Sequence, residues 1–141
     1  MKRAPDICSA VKYISSTLES LNSYIGVLLF IVEGDSDRAA LLDLGFPYDD
    51  IIVYKQSKLD EVLVSRRSSG YRYVVLLVDF DEEGSRLVRR IRSEAAAHGY
   101  IELTGVRRRL RRYAHFFGYT IDAYFRNYMS YYKECIQRGM L

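Results

Sequence analysis

Apolar positions recur along this chain in two rhythms. Ile7, Val11, Ile14, Leu18, Leu21 and Ile25 follow one another at alternating four- and three-residue spacing, which predicts an amphipathic N-terminal helix. Asp6, after Pro5, is placed to cap it. Val27–Val32 is apolar without polar alternation, the pattern of a central parallel strand covered on both faces. The next helix, with Asp35 or Ser36 as its cap, stops at Gly45. Ile51–Tyr54 reads as a short strand, and a helix from about Ser57 to Arg67 is broken by Ser68-Ser69-Gly70. Tyr73–Val78 is a third strand, Glu83–Ala97 another helix and Tyr100–Leu103 a short fourth strand. Beyond that the pattern is helical. Val106, Leu110, Tyr113, Ala114 and Phe117 line one face up to Gly118. Ile121, Tyr124, Phe125, Tyr128, Met129, Tyr132, Cys135 and Ile136 form a long stripe on a last helix.

Strands alternating with helices predict βαβ units: an α/β fold with a small parallel sheet flanked by helices, an N-terminal helix and two C-terminal helices. At 141 residues and 49% hydrophobic content, without repeat or linker, the chain reads as one domain. Its core spans about 26–104 and a helical extension about 105–141. No apolar run approaches the ~20 residues of a membrane span, and the N-terminus lacks the apolar stretch of a secretory signal. Cys8 and Cys135 fall on apolar stripes and read as buried free thiols. Together these features place the chain in the cytoplasm, away from membranes.

Both long strands end in acids. Glu33-Gly34 follows Val27–Val32, and Asp79-Phe80-Asp81-Glu82-Glu83-Gly84 follows Tyr73–Val78. The carboxyl ends of parallel strands form the ligand crevice, so these acids should converge there. Clustered carboxylates repel one another unless a cation sits among them. Asp79 and Asp81 alternate across Phe80, which should turn into the core, and they suit Mg²⁺ or Mn²⁺, hard cations that take few carboxylates and keep other positions for water and phosphate. Gly34 and Gly84 remove side chains where backbone or phosphate could approach closely. Asp35 and Asp37 could cap the helix or join the site, and Arg38 could pair with them or reach a phosphate.

Taken together, Glu33-Gly34-Asp35-Ser36-Asp37 and Asp79-x-Asp81-x-Glu83-Gly84 resemble the Toprim domain, shared by topoisomerases, bacterial primases and several nucleases, including those that mature 5S ribosomal RNA. The resemblance is closest to the small stand-alone archaeal members, in which a DFD-x-x-G element is typical, and it runs from Val27 to the end of the chain. It implies Glu33 as general acid or base, Asp79 and Asp81 as metal ligands, and Glu83 and Asp37 as auxiliary metal-site acids. The tyrosine nucleophile of topoisomerases belongs to a separate domain, for which this chain has no room.

The net charge of +3 conceals an asymmetry: residues 1–70 carry 8 Lys/Arg against 10 Asp/Glu, residues 71–141 carry 13 against 8. Arg107, Arg108, Arg109, Arg111 and Arg112 form the densest run, and Arg86, Arg89, Arg90 and Arg92 a second strip just after the acidic motif. Such strips suit the phosphates of RNA or DNA. Most of the thirteen tyrosines lie at helical spacing and read as packing, with Tyr119 and Tyr131 nearer the stripe's edge as candidates for stacking on bases. His98 and His115 stand without metal-ligand spacing. The expectation is a Mg²⁺- or Mn²⁺-dependent nuclease of Toprim type. The alternative is a module that binds nucleic acid, or a protein in a processing complex, without cutting; the last stripe could equally serve a homodimer.

Overall fold

The structure, a computed structural model, describes residues 4–141, with side chains from Ile7 onward. The cap expected of Asp6 falls outside those side chains. The N-terminal helix α1 spans Ala4–Glu19, and after a 3-10 turn the sheet begins with β1 (Leu28–Val32). There follow α2 (Asp35–Asp43), β2 (Ile51–Val53), α3 (Leu59–Ser68), β3 (Tyr73–Leu77), α4 (Glu82–Ala97) and β4 (Ile101–Glu102). Three helices close the chain: α5 (Thr104–Arg111), α6 (Ala114–Phe117) and α7 (Ile121–Gln137). The fold is α/β, as expected. Where one helix was expected up to Phe117, the chain turns at Arg112-Tyr113 and splits it into α5 and α6. The first helix ends before Ile25, which is exposed.

The four strands lie in the order β2-β1-β3-β4, all parallel, with Phe30 opposite Ile51 and Val75. Alternate strand residues feed two cores. Leu28, Phe30, Val32, Val75 and Leu77 pack towards buried side chains of α1, α2, α5 and α7. Leu29, Ile31, Val74, Leu76 and Val78 pack towards Leu59 and Leu63 of α3 and Val88, Ile91 and Ala95 of α4. Every residue of β1 is buried, which is why its sequence shows no alternation. The last apolar stripe is used inside the chain: Ile121, Tyr124, Phe125 and Tyr128 are buried, and α7 packs on α1, α2 and α6. No helix among the described residues is long and apolar enough to cross a membrane.

Cys8 and Cys135 correct one expectation. They are not free thiols but a disulfide, with Cα atoms 5.7 Å apart across a separation of 127 residues. Both cysteines lie on the faces by which α1 and α7 meet, so packing brings the two thiols within bonding reach. Cysteine usage therefore no longer argues for a reducing compartment.

Candidate functional site

The C-terminal ends of β1 and β3 are adjacent, and there the expected acids gather. Glu33 Oε1 accepts the backbone N–H of Asp79 at 3.1 Å, which ties the two strand ends together. Its other oxygen faces Lys55 Nζ at 3.9 Å. Lys55 follows β2, and its own N–H donates to the Glu33 carbonyl at 3.2 Å. The sequence analysis passed over Lys55, because a lone exposed lysine after a short strand carries no signal until the third strand end is placed beside the other two.

Asp79 and Asp37 are held by a helix that begins far away in sequence. The first N–H groups of a helix have no partner within it. In α7 two of them are taken by these acids: Ile121 donates to Asp79 Oδ1 at 3.0 Å and Asp122 to Asp37 Oδ1 at 3.1 Å. Two carboxylates thus cap α7 from other elements, where the helix dipole favours negative charge. Asp37 also accepts the Gly34 N–H at 3.2 Å, so both its oxygens are engaged. The sequence analysis placed Asp37 among the auxiliary metal-site acids; here both its oxygens accept backbone N–H groups, the geometry of a cap.

Burial pushes the Asp37 carboxyl up to about 6, with the charges of Asp79 and Asp122 adding to the shift and the N–H of Gly34 opposing it. Asp79 is raised for the same first reason, burial, and again by like charge, from Asp81 and Asp122, while the Ile121 N–H and Lys55 pull it back. Asp122, missed in the sequence reading, therefore belongs to the cluster.

Asp81 caps α4, its Oδ1 accepting from Gly84 N–H at 2.7 Å, and Phe80 is buried as expected. Glu83 is exposed in the first turn of α4 and is bonded to none of the other acids among the described residues. Gly84 is required, though by the protein's own backbone: a Cβ there would lie 2.0 Å from the Asp79 carbonyl oxygen. At Gly34 a Cβ would meet nothing within 4 Å, which leaves that side of the site open. Asp35 pairs with Arg38 at 2.5 Å and accepts Gln56 Nε2, and Arg38 also reaches Tyr48.

Among the described residues, no group of three or more Asp, Glu, His or Cys side chains is arranged to hold a metal ion alone. Asp79 Oδ2, Asp81 Oδ2 and Glu33 Oε2 accept no protein hydrogen bond there. These residues fit a hydrated cation held by one or two carboxylates, the habit of Mg²⁺, and not a closed protein cage.

The arginines divide. Arg107 is corrected: it is buried, not a phosphate contact. Its guanidinium donates to the carbonyls of Leu76 (3.2 Å), Val78 (2.5 Å) and Asp79 (3.0 Å) and lies 4.9 Å from the Phe80 ring centroid. Burial lowers it to about 10. It serves as an internal prop for the acidic segment. Arg86, Arg89, Arg90, Arg108, Arg109, Arg111 and Arg112 are exposed, although Arg86 approaches Glu82 and Arg112 lies over Tyr13 and Tyr113. Arg89, Arg108 and Arg111, with Arg92, line a groove of about 360 Å³ between α4 and α5. Arg92 is paired with Glu102. The two basic strips thus become one surface, joined through Arg107 to the acidic segment. His98 sits on Asp60, and His115 is exposed against Phe116.

No family model matches the chain. In structure the chain is similar to a protein from Aquifex aeolicus, with a TM-score of 0.61 at 20% identity, covering 70% of this chain and 89% of that one, which bears on the fold alone. In sequence it is similar to a UPF0292 protein of Thermoplasma volcanium, 38% identical over 76 residues, 54% of this chain and 58% of the relative's length. A UPF0292 protein of Thermococcus gammatolerans is 32% identical over 97 residues, 69% of each chain. The chain belongs to the UPF0292 family.

Proposed function

We propose that the chain carries out metal-dependent phosphodiester chemistry on nucleic acid, as a small nuclease of the Toprim type its motifs resemble. One observation carries the reading: the Glu33 carboxylate at the end of β1 accepts the backbone N–H of Asp79 at the end of β3, at 3.1 Å, beside an open cluster of acids. An exposed arginine groove lies on the adjoining surface. Asp79 and Asp81 would hold Mg²⁺ or Mn²⁺, which when bound would neutralise charge on the reacting phosphate. Glu33, polar-bonded at one oxygen and free at the other apart from Lys55, would move the proton of the attacking or leaving oxygen. The groove arginines would hold the flanking backbone.

A second reading, a module that binds without cutting, also has an observation behind it. Asp37 and Asp79 already cap α7, a task that needs no metal. The two readings part at Glu33→Gln. Purified protein is offered structured RNA, single-stranded DNA and duplex DNA with Mg²⁺ or Mn²⁺. A nuclease loses cleavage with chelator, and Glu33→Gln lowers its turnover by about 10²–10⁴-fold while binding persists. Wild-type protein that cuts none of these substrates, and binds as well with Gln at 33, is a binding module.

A further inference from the structure

We infer that Tyr119 is a stacking platform for an unpaired nucleobase beside the acidic site, so that the polynucleotide taken there is single-stranded. The inference rests on the phosphodiester reading above and adds to it the form of the substrate. Tyr119 lies in the turn from α6 to α7. That turn is bonded on both sides to the acidic segment. The Tyr119 carbonyl accepts the Phe80 N–H at 2.7 Å, and two residues on, Ile121 donates to Asp79 at 3.0 Å. Asn127 Nδ2 holds the Phe117 carbonyl at 2.7 Å, and Gly118 takes the sharp bend with a φ of 126°.

The ring carried by this fixed turn is itself uncommitted. It is 57% exposed, whereas Phe80, Phe117 and Tyr124 beside it in sequence or space are buried. Among the described residues its ring and hydroxyl make no hydrogen bond or ring contact. An exposed tyrosine alone means little. One whose backbone is pinned to the peptide of Phe80, between two site acids, is carried on a turn fixed to the acidic segment.

The chemistry of that surface selects its ligand. An exposed phenol ring offers a neutral base a π face of matching size. Base–aromatic stacking tolerates any sequence. In a duplex each base face is already stacked on its neighbours, so engagement requires an unpaired nucleotide or a frayed end. Either RNA or DNA presents the same face.

The test is fluorescence anisotropy with short labelled single strands of RNA and of DNA, the matching duplexes, and a strand lacking bases. Tyr119→Ala should weaken single-strand binding by about 5- to 150-fold, the range that one stacked base supports. Tyr119→Phe should bind as wild type, duplex binding should not change, and on the abasic strand wild type and Tyr119→Ala should be equal. Unequal sensitivity of RNA and DNA identifies which strand is taken. Wild-type affinity of Tyr119→Ala for single strands overturns the inference, as does equal weakening on the abasic strand. If wild type binds nucleic acid but ignores Tyr119, this inference alone falls; if it binds none in any form, the phosphodiester reading falls with it.

Discussion

Breaking the Cys8–Cys135 bond should cost this fold more than any single surface change. The bridge closes a loop of 127 residues, nearly the whole chain. The chain-entropy relation for a loop of that length gives about 17 cal/mol/K removed from the unfolded state, or about 5 kcal/mol at room temperature. Unfolding a domain releases about 2.1 cal/mol/K per residue, so for 141 residues a melting point moves by about one degree for every 0.3 kcal/mol. The reduced protein should therefore melt about 15 °C below the oxidised one. Calorimetry on oxidised protein, on protein reduced in denaturant and refolded with reductant, and on Cys8→Ala with Cys135→Ala measures this directly. The double variant adds the loss of two buried sulfurs and should melt no higher than the reduced form. Thiol titration in denaturant is the control. Oxidised protein that titrates two free thiols, or a melting difference under about 3 °C, refutes the reasoning.

Two further outcomes follow from groups that the fold buries. Arg107→Met leaves three carbonyls without their donor and should cost about 2–4 kcal/mol in denaturant unfolding, yet leave the salt dependence of nucleic-acid binding unchanged; Arg108→Ala with Arg111→Ala should do the reverse, lowering that slope by about two units. Asp37 rises from 3.8 to about 6 on folding, so between those values the folded chain keeps a proton that the unfolded chain has lost, and stability should fall with rising pH across that window, by up to about 3 kcal/mol from this group. Urea unfolding at several pH values should show this decline flattened in Asp37→Asn; an identical slope in both proteins would remove burial of this carboxylate as its cause.

The strands and the acids at their ends were legible because each is a local pattern: a run buried on both faces, then a carboxylate and a glycine. What depended on a partner distant in sequence was not. A cysteine on an apolar stripe looks the same whether its neighbour across the helix pair is a leucine or another cysteine, so the disulfide was hidden. Arg107 stands in an unbroken arginine run, and only the packing of α5 against the sheet turns that one side chain inward, towards the β3 carbonyls. Asp79 and Asp37 could be placed near a crevice, but not that the N–H groups of residues 121 and 122 would occupy an oxygen of each. Glycine 84 was marked for close approach by its position, whereas what approaches, the Asp79 carbonyl, is a matter of tertiary geometry.

The donors that seat Asp79 and Asp37 belong to a helix that follows every strand of the sheet in the sequence. A nascent chain emerging from the ribosome can pair β1, β2 and β3 while α7 is still inside the tunnel, since every residue of the sheet precedes it. During that interval the two acids lack the N–H groups of Ile121 and Asp122, and the segment 79–81 lacks the Tyr119 carbonyl that anchors Phe80. The acidic site is therefore finished only when α7 has docked.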